Sequence, residues 1–152
     1  MTDRIDALEK IIRLRKRDVE RCAQEAMAAS QKLASAESAA EAASLACVRA
    51  TAICDIALAE QRQRPADPQV QLHCRATAET AARSDELRTQ AGETLTRARA
   101  LADQVKKEWL RAQMRHDALV AKLDQAVRQL HRQIARRLDE DLVPSQRWAV
   151  PV

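Results

Sequence analysis

Arg64-Pro65-Ala66-Asp67-Pro68 decides the fold of this chain. The ring of Pro65 pushes Arg64 out of the helical region and ends whatever helix precedes it. Asp67 before Pro68 is a restart signal, an N-cap acceptor followed by proline at the first helical position. Upstream, a helix opens near Asp3, read as an N-cap with Asp6 three residues on, and meets neither glycine nor proline before the break. Downstream, the pattern runs on until Pro144 closes it. The expected architecture is all-α, a single long antiparallel two-helix coiled-coil hairpin over residues 1–143. It has a helix over about 3–63, a loop over about 64–67 and a helix over about 68–140, with residues 144–152 as a flexible tail. So short a break allows only a sharp reversal. The helices are expected to measure roughly 90 and 110 Å at 1.5 Å per residue.

Composition agrees. The chain of 152 residues has one glycine, Gly92, no Phe, no Tyr and two Trp, whereas a globular core of that size draws much of its buried area from aromatics. Ala, Arg, Leu, Gln, Glu and Asp dominate, the profile of a long helix or coiled coil. Charged residues interrupt every candidate membrane span, and Lys10 and Arg13 bracket Ile11-Ile12 at the N-terminus, so neither a spanning segment nor a signal peptide is expected. The expected location is the cytoplasm, with Cys22, Cys47, Cys54 and Cys74 as reduced thiols.

Heptad spacing from Ile5 gives Leu8, Ile12, Arg15, Val19, Cys22, Ala26, Ala29, Leu33, Ala36, Ala40, Ala43, Cys47, Ala50, Cys54 and Ala57. On the second helix the apolar positions read Val70, Cys74, Thr77, Ala81, Ser84, Leu87, Ala91, Thr94, Ala98, Leu101 and Val105. Two steps of four, Leu101 to Val105 to Trp109, predict a stutter, after which Ala112, His116, Leu119, Leu123, Ala126 or Val127, and Leu130 continue. Folding about Pro65-Ala66 sets Leu8 beside Leu123, Ile12 beside Leu119 and Cys22 beside Trp109, large mostly against small. It also sets the one polar residue of the first seam, Arg15, against His116. This reads either as a register-fixing polar layer or as an arginine snorkelling to water. Trp109 is read as filling the space beside Cys22, or, if exposed, as a partner hot spot. The seam over Ala36 to Ala57 is nearly all alanine and buries little area per layer. Gly92 is read as tolerated close packing, with a hinge as the alternative.

No catalytic, cofactor or metal site is expected. A two-helix rod offers no pocket in which catalytic groups converge, and the phosphate-loop and nucleophile-elbow motifs are absent from the sequence. His73-Cys74 with Cys54 is the nearest approach to a metal cluster, but zinc wants four ligands at fixed spacing. Acids and bases interleave on the outer faces, with Asp6/Lys10, Glu9/Arg13, Asp103/Lys107 and Asp124/Arg128 at helical pair spacing. The cationic excess is expected at one tip, where Lys10, Arg13, Arg15, Lys16, Arg17 and Arg21 join Arg128, Arg132, Arg136 and Arg137. Such a tip suits an acidic protein socket better than nucleic acid, for which no aromatic stacking platform is present. The segment beyond Pro144, with Trp148, reads as a docking peptide or as disorder.

A hairpin of this length, with Leu8-Glu9-Lys10-Ile11-Ile12-Arg13-Leu14-Arg15-Lys16-Arg17 near its start and alanine-rich heptads after it, resembles the FliJ/YscO family. Those are the stalk proteins of bacterial flagellar and virulence type III secretion systems. The sequence departs from many members in lacking aromatics and in its Pro/Trp tail. The resemblance implies a non-enzymatic stalk with both helix termini inserted in the central pore of a hexameric export ATPase. The loop end would face the export-gate protein, and secretion chaperones would be further partners. The rival readings are a self-associating scaffold or adaptor rod, for which Leu14, Ile53, Ile56 and Leu58 would begin a second apolar stripe, and a peripheral subunit of an ATPase stator.

Overall fold

The computed structural model describes residues 2–146, with side chains over 2–142. Among these residues there are two helices and no strand: α1 (Thr2–Gln63, 62 residues) and α2 (Pro68–Gln146, 79 residues). They pack on each other as an all-α helical hairpin.

The reversal is built as its residues dictate. The Arg64 N–H donates to the Glu60 carbonyl at 3.0 Å, and the Asp67 N–H to the Arg64 carbonyl at 3.3 Å. The Asp67 carboxylate then accepts from the Gln69 N–H at 2.9 Å, capping α2 one residue before Pro68. The Gln71 side-chain amide closes the loop by donating to the Pro65 carbonyl at 2.7 Å.

Two helix ends differ from expectation. α1 starts at Thr2, so Asp3 lies inside the first turn, where its carboxylate faces the positive end of the helix dipole rather than capping it. α2 does not stop near Glu140 or at Pro144; it continues to Gln146. Pro144 stands only two residues from the end and removes a single backbone bond. That bond would have gone to the carbonyl of Glu140, an exposed residue whose oxygen water can satisfy. Residues 147–152, with Trp148, lie outside the described residues.

The chain divides into two compact units: Met1–Gln24 with Lys107–Val152, and Glu25–Lys106. In the second, three side-chain pairs fix the antiparallel register. Glu37 meets Arg99 at 3.9 Å, Cys47 meets Asp85 at 3.9 Å, and Gln61 meets Cys74 at 3.1 Å, so α2 numbers fall as α1 numbers rise. The core here is small: Ala29, Ala36, Ala50, Ala57, Val70, Cys74 and Thr77 are the buried side chains, and Ala57 is only 1% exposed. The Thr77 hydroxyl is satisfied by the Cys74 carbonyl at 3.0 Å. In the first unit Cys22 is buried, while Ile5, Leu8, Ile12 and Val19 of α1 and Trp109, Ala112, Leu119, Leu123 and Leu130 of α2 are half-buried.

The predicted seam of α1 holds at every position except Arg15, which is exposed. On α2 there is no stutter. The half-buried positions after Ser84 are Ala91, Leu95, Ala98, Ala102, Val105, Trp109 and Ala112, in unbroken alternation of four and three. Leu87 and Leu101 point outward at 60% and 47% exposure, and Thr94 is exposed while Leu95 takes its place. Stepping three residues from Ser84 to reach Leu87 set the predicted phase one residue early. The apparent stutter at Trp109 merely undid that slip. A 3.5-residue repeat is fixed by backbone geometry and does not bend toward the larger side chain. Gly92 is neither closely packed nor turned into the seam: it is exposed, and a Cβ added there would meet nothing within 4 Å.

By length and composition alone, one stretch of α1 departs from the expectation that charges interrupt every candidate span. α1 does contain an 18-residue window long and apolar enough to cross a membrane, with mean hydropathy 1.6. Residues 42–59, where Arg49 and Asp55 are the only charges, form such a window, and two charges do not cancel sixteen small or apolar neighbours. Only 11% of that window is buried.

Candidate partner-binding surface

The cations singled out from the sequence all belong to the first unit and are all exposed: Lys10, Arg13, Arg15, Lys16, Arg17 and Arg21 on α1, and Arg128, Arg132, Arg136 and Arg137 on α2. Of the four helical pairs expected by spacing, Glu9–Arg13 alone is at ion-pair distance, 3.7 Å, with the arginine side chain 76% exposed. An exposed pair gains only about 0.3–0.5 kcal/mol, too little to hold two long side chains in one geometry. Among the described residues, Lys10, Lys16, Arg17, Arg128, Arg132, Arg136 and Arg137 have no acidic partner. Their charge is therefore available to a partner.

The α2 cations do not sit level with those of α1 at a shared tip. Leu130 is the last half-buried residue of α2; every side chain from His131 to Leu142 is exposed. The end of α2 thus outruns the helix it packs against. The apolar stripe does not stop where the cover does, since Ile134 and Leu138 follow Leu130 at steps of four and are 48% and 58% exposed. At 100° per residue, Arg128, Arg132 and Arg136 fall on the opposite side of this stripe. On this exposed stretch Arg137 and Asp141 border the Ile134–Leu138 stripe, while Arg132 and Arg136 lie with Asp139 on its back.

Arg15 and His116 do not form a polar layer. Arg15 Nη1 bonds the Asp18 carboxylate on its own helix at 3.4 Å, and His116 Nδ1 lies 3.1 Å from the carboxylate of its neighbour Asp117. The arginine takes the snorkelling alternative, because water and an exposed carboxylate solvate a guanidinium better than a seam can. Trp109 is half-buried in the first unit, where the α1 contribution includes Cys22.

Two of the α1 cations expected at the tip, Arg15 and Arg21, take part in a second cationic feature whose α2 members were not expected. Arg15 and Arg21 share a groove of about 270 Å³ with Arg111 and Arg115, tempered by Asp18 and Glu108, with Cys22 and Ala112 at its floor. Its signal was the Arg111-x-x-x-Arg115 spacing on one helical face, which attention to Trp109 obscured. In the second unit Arg88 holds Asp85 at 2.7 Å; this hydrogen bond, with the attraction of the carboxylate, raises the guanidinium pKa above its ordinary value. That pair is exposed. Cys54, His73 and Cys74 do not form a ligand set: Cys74 Sγ donates to Gln61, and among the described residues no three His, Cys, Asp or Glu side chains converge.

No protein-family model, no curated protein and no solved structure matches this chain.

Proposed function

We propose that this protein is a non-enzymatic central-stalk component of a bacterial type III secretion export apparatus, cytoplasmic and peripheral to the membrane that carries it. In this reading the unit that holds both termini inserts into the hexameric export ATPase. The loop end addresses the export-gate protein, and secretion chaperones are additional partners. One observation supports the reading: every side chain of α2 from His131 to Leu142 is exposed, leaving Ile134 and Leu138 uncovered with Arg132 and Arg136 on the other side of the helix. An apolar helical stripe stripped of its neighbour fits a groove in another protein. The unpaired cations would steer it toward an acidic one and sharpen its on-rate.

The test is a pull-down with the export ATPase encoded beside this chain, followed by ATP turnover with and without it. Binding that raises turnover, weakens on reversing Lys16, Arg17, Arg132 and Arg136, and is lost with Ile134→Gln/Leu138→Gln is the expected result. A folded, helical protein that does not bind the ATPase at low salt sinks the reading. The alternative is then a structural or adaptor rod that self-associates without an ATPase partner, which the exposed apolar segment of α1 favours.

A further inference from the structure

The groove of about 270 Å³ in the first unit is walled by four arginines, Arg15 and Arg21 from α1 and Arg111 and Arg115 from α2. Its floor is made of short side chains, Cys22, which is buried, and Ala112, which is half-buried. Short residues below and long cations at the rim give a concave site whose donors come from both helices.

The positive charge of this groove is only partly met within it. Arg15 Nη1 bonds the Asp18 carboxylate at 3.4 Å, and Glu108 brings the second carboxylate. Among the described residues Arg111 and Arg115 have no ion-pair partner. They stand four residues apart on one face of α2, where like charges repel. Four guanidiniums against two carboxylates leave two positive charges in surplus.

The occupant that this surplus selects is an anion, and the chemistry narrows it further. A phosphate monoester at pH 7 carries about −1.5 to −2 charge, so one such group balances what would otherwise take two separate carboxylates. Planar guanidinium forks match pairs of phosphate oxygens bidentately, and Arg suits this role better than Lys. Among the described residues no aromatic side chain lines the groove, so nothing in it stacks a nucleic-acid base.

We propose that this groove binds the dianionic phosphate group of a small soluble molecule, held by Arg111 and Arg115 of α2 and by Arg15 and Arg21 of α1. Because the anion bridges two helices, its binding also stabilises their packing. The site uses none of Lys16, Arg17, Arg132, Arg136, Ile134 and Leu138, the residues on which the test of the stalk reading rests, so either can fail alone.

A nuclear magnetic resonance titration of the full chain with inorganic phosphate at low ionic strength, followed through the arginine Nε–Hε signals, tests it. The expected result is a saturable shift of the Arg111 and Arg115 signals with a Kd on the order of 1 mM, the affinity of a few charge-assisted hydrogen bonds at an exposed site. Arg111→Ala/Arg115→Ala should weaken binding at least about tenfold. Arg132→Ala/Arg136→Ala removes the same charge elsewhere in the unit and should leave the constant within about twofold. Asp18→Asn frees Arg15 from a competing carboxylate and should tighten binding roughly two- to fivefold. Absence of a saturable shift overturns the proposal, as does equal weakening by the two arginine pairs, which would mean diffuse attraction to a cationic surface. Flotation with phosphatidylcholine vesicles containing phosphatidic acid, dependent on Arg111 and Arg115 and without any response to free phosphate, would overturn it in favour of a lipid headgroup.

Discussion

Gly92→Ala isolates one physical effect. Gly92 lies inside α2, exposed, without positive φ, and a methyl group built on it meets no atom within 4 Å. The substitution therefore neither fills a cavity nor creates a clash, and it buries no polar group. The carbonyl of Gly92, which accepts from the Thr96 hydroxyl at 3.0 Å, is unchanged. What remains is the difference in helix propensity, about 0.8–1.0 kcal/mol in favour of alanine, much of it from the restricted unfolded chain. For a chain of this size that is a rise of roughly 2–4 °C in melting midpoint. Urea titration followed by circular dichroism at 222 nm measures it: the midpoint should rise with no change in slope. A close-packed glycine would give the opposite sign, since overpacking costs about 1–3 kcal/mol. Destabilisation by Gly92→Ala would therefore refute the placement of this residue on the solvent face.

Ala57→Leu should cost about 1–3 kcal/mol, since Ala57 is 1% exposed in the core of the second unit. Ala46→Leu on the exposed side of the same helix should stay within about 0.5 kcal/mol in the same titration. Ile134→Gln/Leu138→Gln should leave helix content intact and stability within about 0.5 kcal/mol, because the overhang contributes nothing to either core; a large loss would mean that those side chains are packed. Under native conditions a thiol reagent should label Cys47 and Cys54 roughly tenfold faster than the buried Cys22 and Cys74, and all four together in denaturant. Equal native rates would show that the seam opens freely at Cys22 and Cys74.

The hairpin was legible because its punctuation is unambiguous: two prolines three residues apart, with an aspartate between them, admit one structure. The α1 seam was legible for a similar reason, since nearly every heptad position from Ile5 to Ala57 is apolar or small over nearly eight consecutive heptads. The α2 phase was not. Between Ser84 and Ala91 the true heptad position is Arg88, an exposed residue bound to Asp85, and Leu87 beside it offered a more attractive but wrong choice. Only the backbone decides between them. The candidate surface was half legible: charge can be counted in a sequence, but whether two charged runs lie level depends on where one helix ends against the other. The overhang arises from that difference in length. The exposed α1 residues Leu45, Val48 and Ile56 were hidden by the seam beside them, because apolar residues on two faces of one helix read together as a single hydrophobic run.

The unbroken alternation of four and three, set beside a core made mostly of alanine, with cysteine, threonine and Val70, makes the second unit a stack of similar layers. Its larger seam side chains, Leu33, Val70, Leu95 and Val105, are few among alanines. Cutting seven residues from each helix at the same level keeps every remaining position in phase and shortens the unit by about 10 Å. Insertion of a heptad pair lengthens it by the same step. The length of the second unit can therefore be reset in whole heptad increments with little change to its core.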